Sequence, residues 1–393
     1  VVTDANGKPV GQYTVTLYKD ANDGQLYTLV SEGTSGGAKA QVQATFRISN
    51  TDYLEQAIFA SAGQANQWLN GGATIRGGVY VVGSDPDKPA INANGNFALY
   101  NWYNLNDYSG ITNRVDSSYR QVRDLCASLR VQYGKIAVGG STQIGEPDNK
   151  VKGVFVGRGT QDITGQNVDV CQNNKGVCTE AMGGFDLSNP PPFPNLDKKM
   201  DSDACGAYPT WRACLQGKAA LRIQRLGNVL SVASPPNVTL PSPCLEAMKS
   251  GPLTLDTQSV DCTFTLNGST GGFKYTYTGN KGLLEVFGEV VLEGVDLVLS
   301  QPTDYRAQSG SAKSATLAVL KLGGSGGNLD VNANLLPDAT FGPFPSHALG
   351  LVVEGDLYQS GQYMMAPVYA GGTFRVVKDS VLFGSVIPSC ATS

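Results

Sequence analysis

The sequence predicts a mainly β protein, a short antiparallel meander followed by a β-solenoid, on three observations. Apolar runs of three or four residues recur between glycines, as in Gly77-Gly-Val-Tyr-Val-Val-Gly83, Gly153-Val-Phe-Val-Gly157, Gly350-Leu-Val-Val-Glu-Gly355 and Pro367-Val-Tyr-Ala-Gly371. Strands this short cannot span a sandwich face, but they suit solenoid coils, where each strand stacks on its neighbour and glycine takes the corner. Charged residues make up only 16 % of the chain and glycine occupies 48 positions, far from a helical-bundle composition. The first fifty residues instead alternate polar and apolar side chains between tight turns, the period of half-buried strands.

Taken in order, Asp4 to Pro9 is turn chemistry, and Gln12 to Tyr18, Gln25 to Glu32 and Ala38 to Ile48 read as three adjacent strands, so residues 1–52 form a meander. Its apolar face needs a cover, and the expectation is a preceding hydrophobic helix that also anchors the protein in a membrane. Residues 53–387 are expected to form the solenoid, and 388–393 a tail. Within it, Ser117 to Tyr133 is predicted helical, with Val122, Leu125, Cys126 and Leu129 on one face. Rungs run to Gly159. Residues 160–280 then read as a cysteine-rich insertion that interrupts the stack and carries a second helix from Thr210 to Leu226. Long β-branched strands resume after Gly282.

The balance of 29 basic and 33 acidic residues gives a net charge of -4, so any site for a polyanion must be a local patch. The eight cysteines include no Cys-x-x-Cys pair, and His347 is the single histidine. Zinc sets are thereby nearly excluded, and disulfides formed in an oxidising compartment become the better reading. Short loops point to Cys171–Cys178 and Cys205–Cys214, with Cys244–Cys262 third, which leaves Cys126–Cys390 as a long-range staple. No metal and no cofactor is expected.

The segment Ser31-Glu-Gly-Thr-Ser-Gly-Gly-Ala-Lys-Ala-Gln-Val-Gln-Ala-Thr45 resembles the region after the long N-terminal helix in type IV pilins, where a Ser-x-Gly-Thr turn leads into an alternating strand. The Gly-Gly-Val-Tyr and Val-Tyr-Ala-Gly-Gly phrases resemble the solenoid of large minor pilins. The resemblance spans residues 1–160 and 281–390 and leaves the cysteine-rich segment unmatched. It implies a minor pilin head on the outside of the cell, with other pilins as partners and double-stranded DNA as the ligand in natural transformation. The mild acidity and scarcity of lysine depart from what a dedicated DNA binder shows. A surface adhesin or envelope structural protein, and a solenoid polysaccharide lyase, are the alternatives.

For DNA, the candidate residues are Arg212, Lys218, Arg222 and Arg225 on the second predicted helix. Arg120, Arg123 and Arg130 lie on the first. Spacings of three, four or seven residues would put several cations on a common face toward phosphates. Tyr119, Tyr133, Tyr208 and Trp211 lie close by in sequence and would stack on unpaired bases. The plainer reading is a solvated helix face with its aromatics in the core. For a lyase, acids cluster at Asp85 and Asp87, and at Asp197, Asp201 and Asp203 beside Lys198 and Lys199, but acids in turns are ordinarily bonded to their own backbone. His347 has no Gly-x-Ser-x-Gly elbow to serve, which argues against a serine hydrolase.

Overall fold

The structure is a computed structural model that describes residues 2–3, 6, 8–19, 26–47, 56–61, 73–108, 110–184, 193–199, 205–377 and 380–392. The chain divides into two compact units, Val1–Asp52 and Tyr53–Ser393.

The first unit is a four-stranded antiparallel sheet of Val2–Thr3, Pro9–Lys19, Leu26–Ser35 and Ala38–Arg47 in sequence order. The last two strands are joined by Gly36 and Gly37, both in the left-handed region that a tight hairpin requires. Register places Val15, Ser31 and Val42 side by side, and Leu17, Leu29 and Ala44 beside them. Because side chains alternate with period two, these residues share one apolar face. Tyr13, Val15, Leu17 and Val42 on it are all half-exposed or more.

The second unit is mainly β and is built from two stacks of three-sided coils. In the first stack one side holds the parallel strands Ile58–Ala60, Val79–Val81, Ser128–Val131, Gly153–Val156 and Met182–Gly183. A second side holds Pro89–Ala93, Lys135–Val138 and Ile163–Gly165, and a third Thr74–Arg76, Ala98–Tyr100, Gln143–Ile144 and Lys175–Val177. The second stack repeats the plan with longer rungs. Its first side runs through Leu221–Leu226, Glu289–Glu293, Ser314–Leu320, Ala348–Val353, Val368–Val376 and Val386–Thr392. Glycine turns corners where nothing larger fits: at Gly83 (φ +72°) a Cβ would strike Tyr133 O, and at Gly294 (φ +72°) Arg225 O.

Val386 of the last strand pairs in parallel with Ile58 of the first, so one continuous sheet runs through both stacks. The chain therefore starts in the middle of the solenoid and winds outward to Met182–Gly183. It then crosses to the opposite end, restarts at Leu221–Leu226 and winds back to the middle. Residues 160–280 consequently do not interrupt the stack as expected. Ile163–Gly165 and Lys175–Val177 are rungs of the first stack, and Leu221–Leu226 and Leu253–Leu255 are rungs of the second. Beyond Leu221–Leu226 the end is closed by its hairpin partner Val229–Ser234 and by a helix over Ser242–Lys249.

Two predicted helices need correction. Over Ser117 to Tyr133 the structure has a single 3-10 turn, Ser117–Tyr119, and the strands Gln121–Val122 and Ser128–Val131. The helical spacing of apolar residues is outweighed by ladders on both sides of Ser128–Val131, to Val79–Val81 and Gly153–Val156. Arg120, Arg123 and Arg130 are therefore not on one helix face; Arg130 lies over the Phe155 ring, 5.5 Å away. The second helix, α1, covers only Trp211–Lys218, started by the Thr210 side chain accepting from Ala213 N at 3.1 Å. Leu221–Leu226 is a strand in which Leu221 and Ile223 face the core while Arg222 and Gln224 face outward.

The disulfides Cys171–Cys178, Cys205–Cys214 and Cys244–Cys262 are all formed. The expected Cys126–Cys390 staple is not: Cys126 is an exposed free thiol at a left-handed corner (φ +53°). Cys390 pairs through its backbone with Thr373 of the adjacent rung, and its side chain lies outside the described residues.

Candidate nucleic-acid interface

The outer face of the continuous sheet would be apolar if left open, since Phe59, Tyr80, Val352, Tyr369 and Ile387 project from it. The connection between the stacks covers it. Phe193, Leu196, Trp211 and Leu215 pack onto those residues, with Trp211 edge-on to Tyr369 (4.7 Å) and Phe193 stacked on Phe59 (6.2 Å). A sheet buried on both faces reads as near-continuous apolar runs, which accounts for Leu351 to Val353. Trp211 is consequently a packing residue and does not present its face to a base. Tyr208 is half-buried against Gly217, where a Cβ would meet its ring.

The cations of this connection are mostly committed. Arg212 donates to both oxygens of Glu354 (2.8 and 2.9 Å) and to Asp197 (2.8 Å), and is only 22 % exposed. Arg222 donates to Glu293 (2.7 Å), whose side chain is 2 % exposed and also accepts from Gln216 and Gln224. Arg225 donates to the carbonyls of Gly294, Met248 and Gly251, capping the end of the helix at Ser242–Lys249. Helix spacing does not relate Arg222 and Arg225 to Arg212 and Lys218, because two of the four are on a strand.

Of the lysines around that framework, helical spacing pointed to Lys218 alone. Lys198, Lys199, Lys218 and Lys321 are exposed, and none is in an ion pair among the described residues. Trp211 N donates to Lys198 O at the start of α1, and Lys218 is at its end, about 10 Å of helix away. Lys321 N donates to Glu354, the partner of Arg212. Only the topology brings Lys321 beside residues 198–218. Burial raises the pKa of Glu289, and the Lys218 charge holds it back.

The other candidates are structural. Asp85 accepts from Asp87 N (3.0 Å) and pairs with Lys88 (3.2 Å), which together lower its pKa. Asp87 pairs with Arg158. Asp201 and Asp203 lie outside the described residues. His347 is fully buried between Tyr305 and Phe341; its Nδ1 donates to Gly342 O (3.1 Å) and its Nε2 accepts from Ala307 N (2.8 Å). Burial lowers its pKa, and with both nitrogens occupied it serves no nucleophile. Among the described residues no group of acids, cysteines or histidine is arranged to hold a metal, and no helix is long and apolar enough to cross a membrane.

No protein-family model and no curated protein matches the chain. Among solved structures it is similar to the competence-associated pilin ComZ from Thermus thermophilus, at 80 % identity and a TM-score of 0.86. The match covers 100 % of this chain and 77 % of that one. The chain belongs to the competence-associated pilins. As a pilin of this family it is a pilus-associated surface protein with a role in competence, and the mainly β, disulfide-bonded fold agrees with that placement.

Proposed function

We propose that this chain is the non-enzymatic, extracellular head of a minor pilin that meets DNA at a type IV pilus during natural transformation. The observation that carries the reading is the 80 % identity, over the whole chain, to a pilin whose association is with competence. The contact surface we assign is the connection between the stacks, with Lys198, Lys199, Lys218 and Lys321 as phosphate-binding groups. Arg212, Arg222 and Arg225, with their acids and carbonyls, form the framework beneath. Compact ammonium groups on flexible stems suit backbone contacts without sequence preference. With a net charge of -4 the molecule attracts phosphate only at short range, so binding is weak and salt-sensitive. The apolar face of the meander, Tyr13, Val15, Leu17 and Val42, is the surface we assign to the pilin's own N-terminal helix and through it to other pilins and the membrane.

The test is DNA binding at low salt by the parent and by a Lys198→Glu, Lys199→Glu, Lys218→Glu triple variant. The triple variant is expected to lose at least about tenfold in affinity for every duplex alike, and the slope of log K against log salt to flatten by roughly 0.9 per contact removed. Its thermal unfolding should match the parent's, since these side chains are exposed. Arg222→Glu, by contrast, sets two acids together at a buried site and is expected to destabilise the fold by about 3 kcal/mol or more. A triple variant that binds as well as the parent sinks the assignment.

A further inference from the structure

We propose that the second side of the second stack is a binding groove for a neutral glycan chain lying along the solenoid axis, with Tyr358 as its platform. This side consists of the three-residue rungs Leu253–Leu255, Leu297–Leu299, Leu329–Val331 and Leu357–Gln359, continued by Phe374 to Val376. In each rung the outer residues point into the core and the middle one faces out. Register sets the middle residues in one row, Thr254, Val298, Asp330, Tyr358 and Arg375. From Val298 to Arg375 the row lines an open groove of about 810 Å³, within the range of ligand sites.

The polar groups in this groove divide into those with a structural task and those without one. Asp296 accepts from both the backbone N and the side-chain Nδ2 of Asn328 (2.9 Å each). Asn328 Oδ1 accepts from Asp356 N (2.9 Å), and Asp356 Oδ1 from Thr373 N (2.7 Å). These four form a ladder that fastens one corner of successive coils. Asp330, the Tyr358 hydroxyl and the Arg375 guanidinium take no part in it. Among the described residues the Asp330 carboxylate has no hydrogen bond or ion pair, although burial and the nearby Asp296 carboxylate both raise its pKa. A carboxylate is not left unpaired in a partly desolvated groove without cost. The Arg375 guanidinium lies over one face of the Tyr358 ring, 5.7 Å from its centre, and makes no ion pair among the described residues.

A carboxylate acceptor and a guanidinium donor therefore stand on either side of an aromatic ring, about 10 Å apart across two rungs. That arrangement fits a chain of pyranose rings. The apolar face of one ring packs on Tyr358, hydroxyls of the next donate to Asp330, and oxygens on the other side accept from Arg375. Rungs repeat every 4.7–4.9 Å, roughly, close to the length of one sugar ring, so an extended glycan stays in step with the row. Asp296, Asp330 and Asp356 against one arginine make the groove anionic, which repels phosphate and uronate chains and selects for uncharged ones. The inference thus concerns a different surface from the DNA-binding lysines and does not rest on that reading.

The test is calorimetric and saturation-transfer titration of this chain with neutral oligosaccharides of four to six residues: gluco-, manno- and N-acetylglucosamine-based. Saturable binding by at least one of them is expected, weakened about tenfold or more by Tyr358→Ala and several-fold by Asp330→Asn. Tyr358→Phe should retain most of it, because the ring remains. DNA binding and thermal unfolding should be unchanged in all three variants. No saturable binding by any of the panel, or Tyr358→Ala binding as the parent does, overturns the proposal. So does a calcium-dependent signal, abolished by Asp330→Asn, without any sugar-dependent one, which would make the groove a cation site.

Discussion

In the first stack the rungs are two to five residues long, and the polar side chains Asn101, Gln132, Thr142, Gln143 and Asn167 are buried beside its apolar core. In the second, rungs on the main sheet reach seven residues or more, and the core holds Phe273, Tyr275 and Tyr305 with a continuous series of Leu and Val. Short rungs offer little apolar area, so the first stack fixes its corners with side-chain hydrogen bonds to the backbone. Asn101 is the clearest case. Its Oδ1 accepts from Leu125 N (3.2 Å) and Ala127 N (2.8 Å), and its Nδ2 donates to Asp124, Asn149 and Lys150 O. The first stack thus leans more on corner networks such as that of Asn101, although the Thr142 hydroxyl and the Gln143 amide nitrogen have no partner among the described residues, and the second leans more on apolar burial.

That contrast is broken most directly by two truncations. Leu292→Ala, fully buried in the second stack, is expected to cost about 3 kcal/mol of unfolding free energy. Asn101→Ala strands the buried Ala127 amide and is expected to cost about 2 kcal/mol, far above an ordinary polar substitution. Denaturant unfolding measures both. An Asn101→Ala loss below about 0.5 kcal/mol, typical of surface sites, would show that the first stack is held by burial after all.

A smaller effect concerns the contact between the stacks. Residues 103–122 leave the first stack as an arm and pack Leu105, Ile111 and Val115 onto Leu336 and Met365 of the second. Arg114 donates to Pro337 O (2.6 Å) and pairs with Asp304 (3.0 Å), which also pairs with Lys281. Arg114→Ala is expected to cost about 1 kcal/mol, because Lys281 remains on Asp304. Amide exchange should quicken across 103–122 while the rungs stay protected. Equal loss of protection in arm and rungs would show that the two stacks open only together.

The smallest effect sharpens the comparison through pH. His347 is in the second stack, and its pKa is lowered in the folded protein, so folding favours the neutral ring. Stability from this group is full above the unfolded pKa of about 6.5 and is lost as pH falls from there through the lower folded value. Glu289, raised by burial, acts in the opposite sense and gains as pH falls through its folded pKa. His347→Gln should flatten the acid-side decline that sets in as pH falls below about 6.5. An unchanged profile would mean that the ring is solvated in the folded state.

Much of the candidate interface was illegible in the sequence because its logic is long-range. Arg212 and Glu354 are 142 residues apart, and nothing local to Arg212 announces that its charge is already met. Arg222 and Arg225 sit at helical spacing from Lys218, yet Leu221–Leu226 alternates in and out because it pairs with Glu289–Glu293. The exposed lysines carry no motif. Lys198 and Lys199 stand out in the sequence only as neighbours of acids. The groove around Tyr358 was equally hidden, since its row takes one residue from each of five coils.

The sequence alone determined the features set by neighbouring residues: the alternating strands of the meander, the glycine-bounded rungs, and the three disulfides that close loops of 7, 9 and 18 residues. Side-chain period, glycine at left-handed corners and the small entropy of short loops act within a few residues and leave their mark locally. Tertiary structure decided that the solenoid is wound from its middle, with Val386 laid against Ile58, and that the connecting segment roofs the outer sheet. It also decided which cations are neutralised. Parallel strands take their partners from distant coils, and a charge is neutralised by whatever the topology sets beside it, so neither outcome is written in any one stretch of chain.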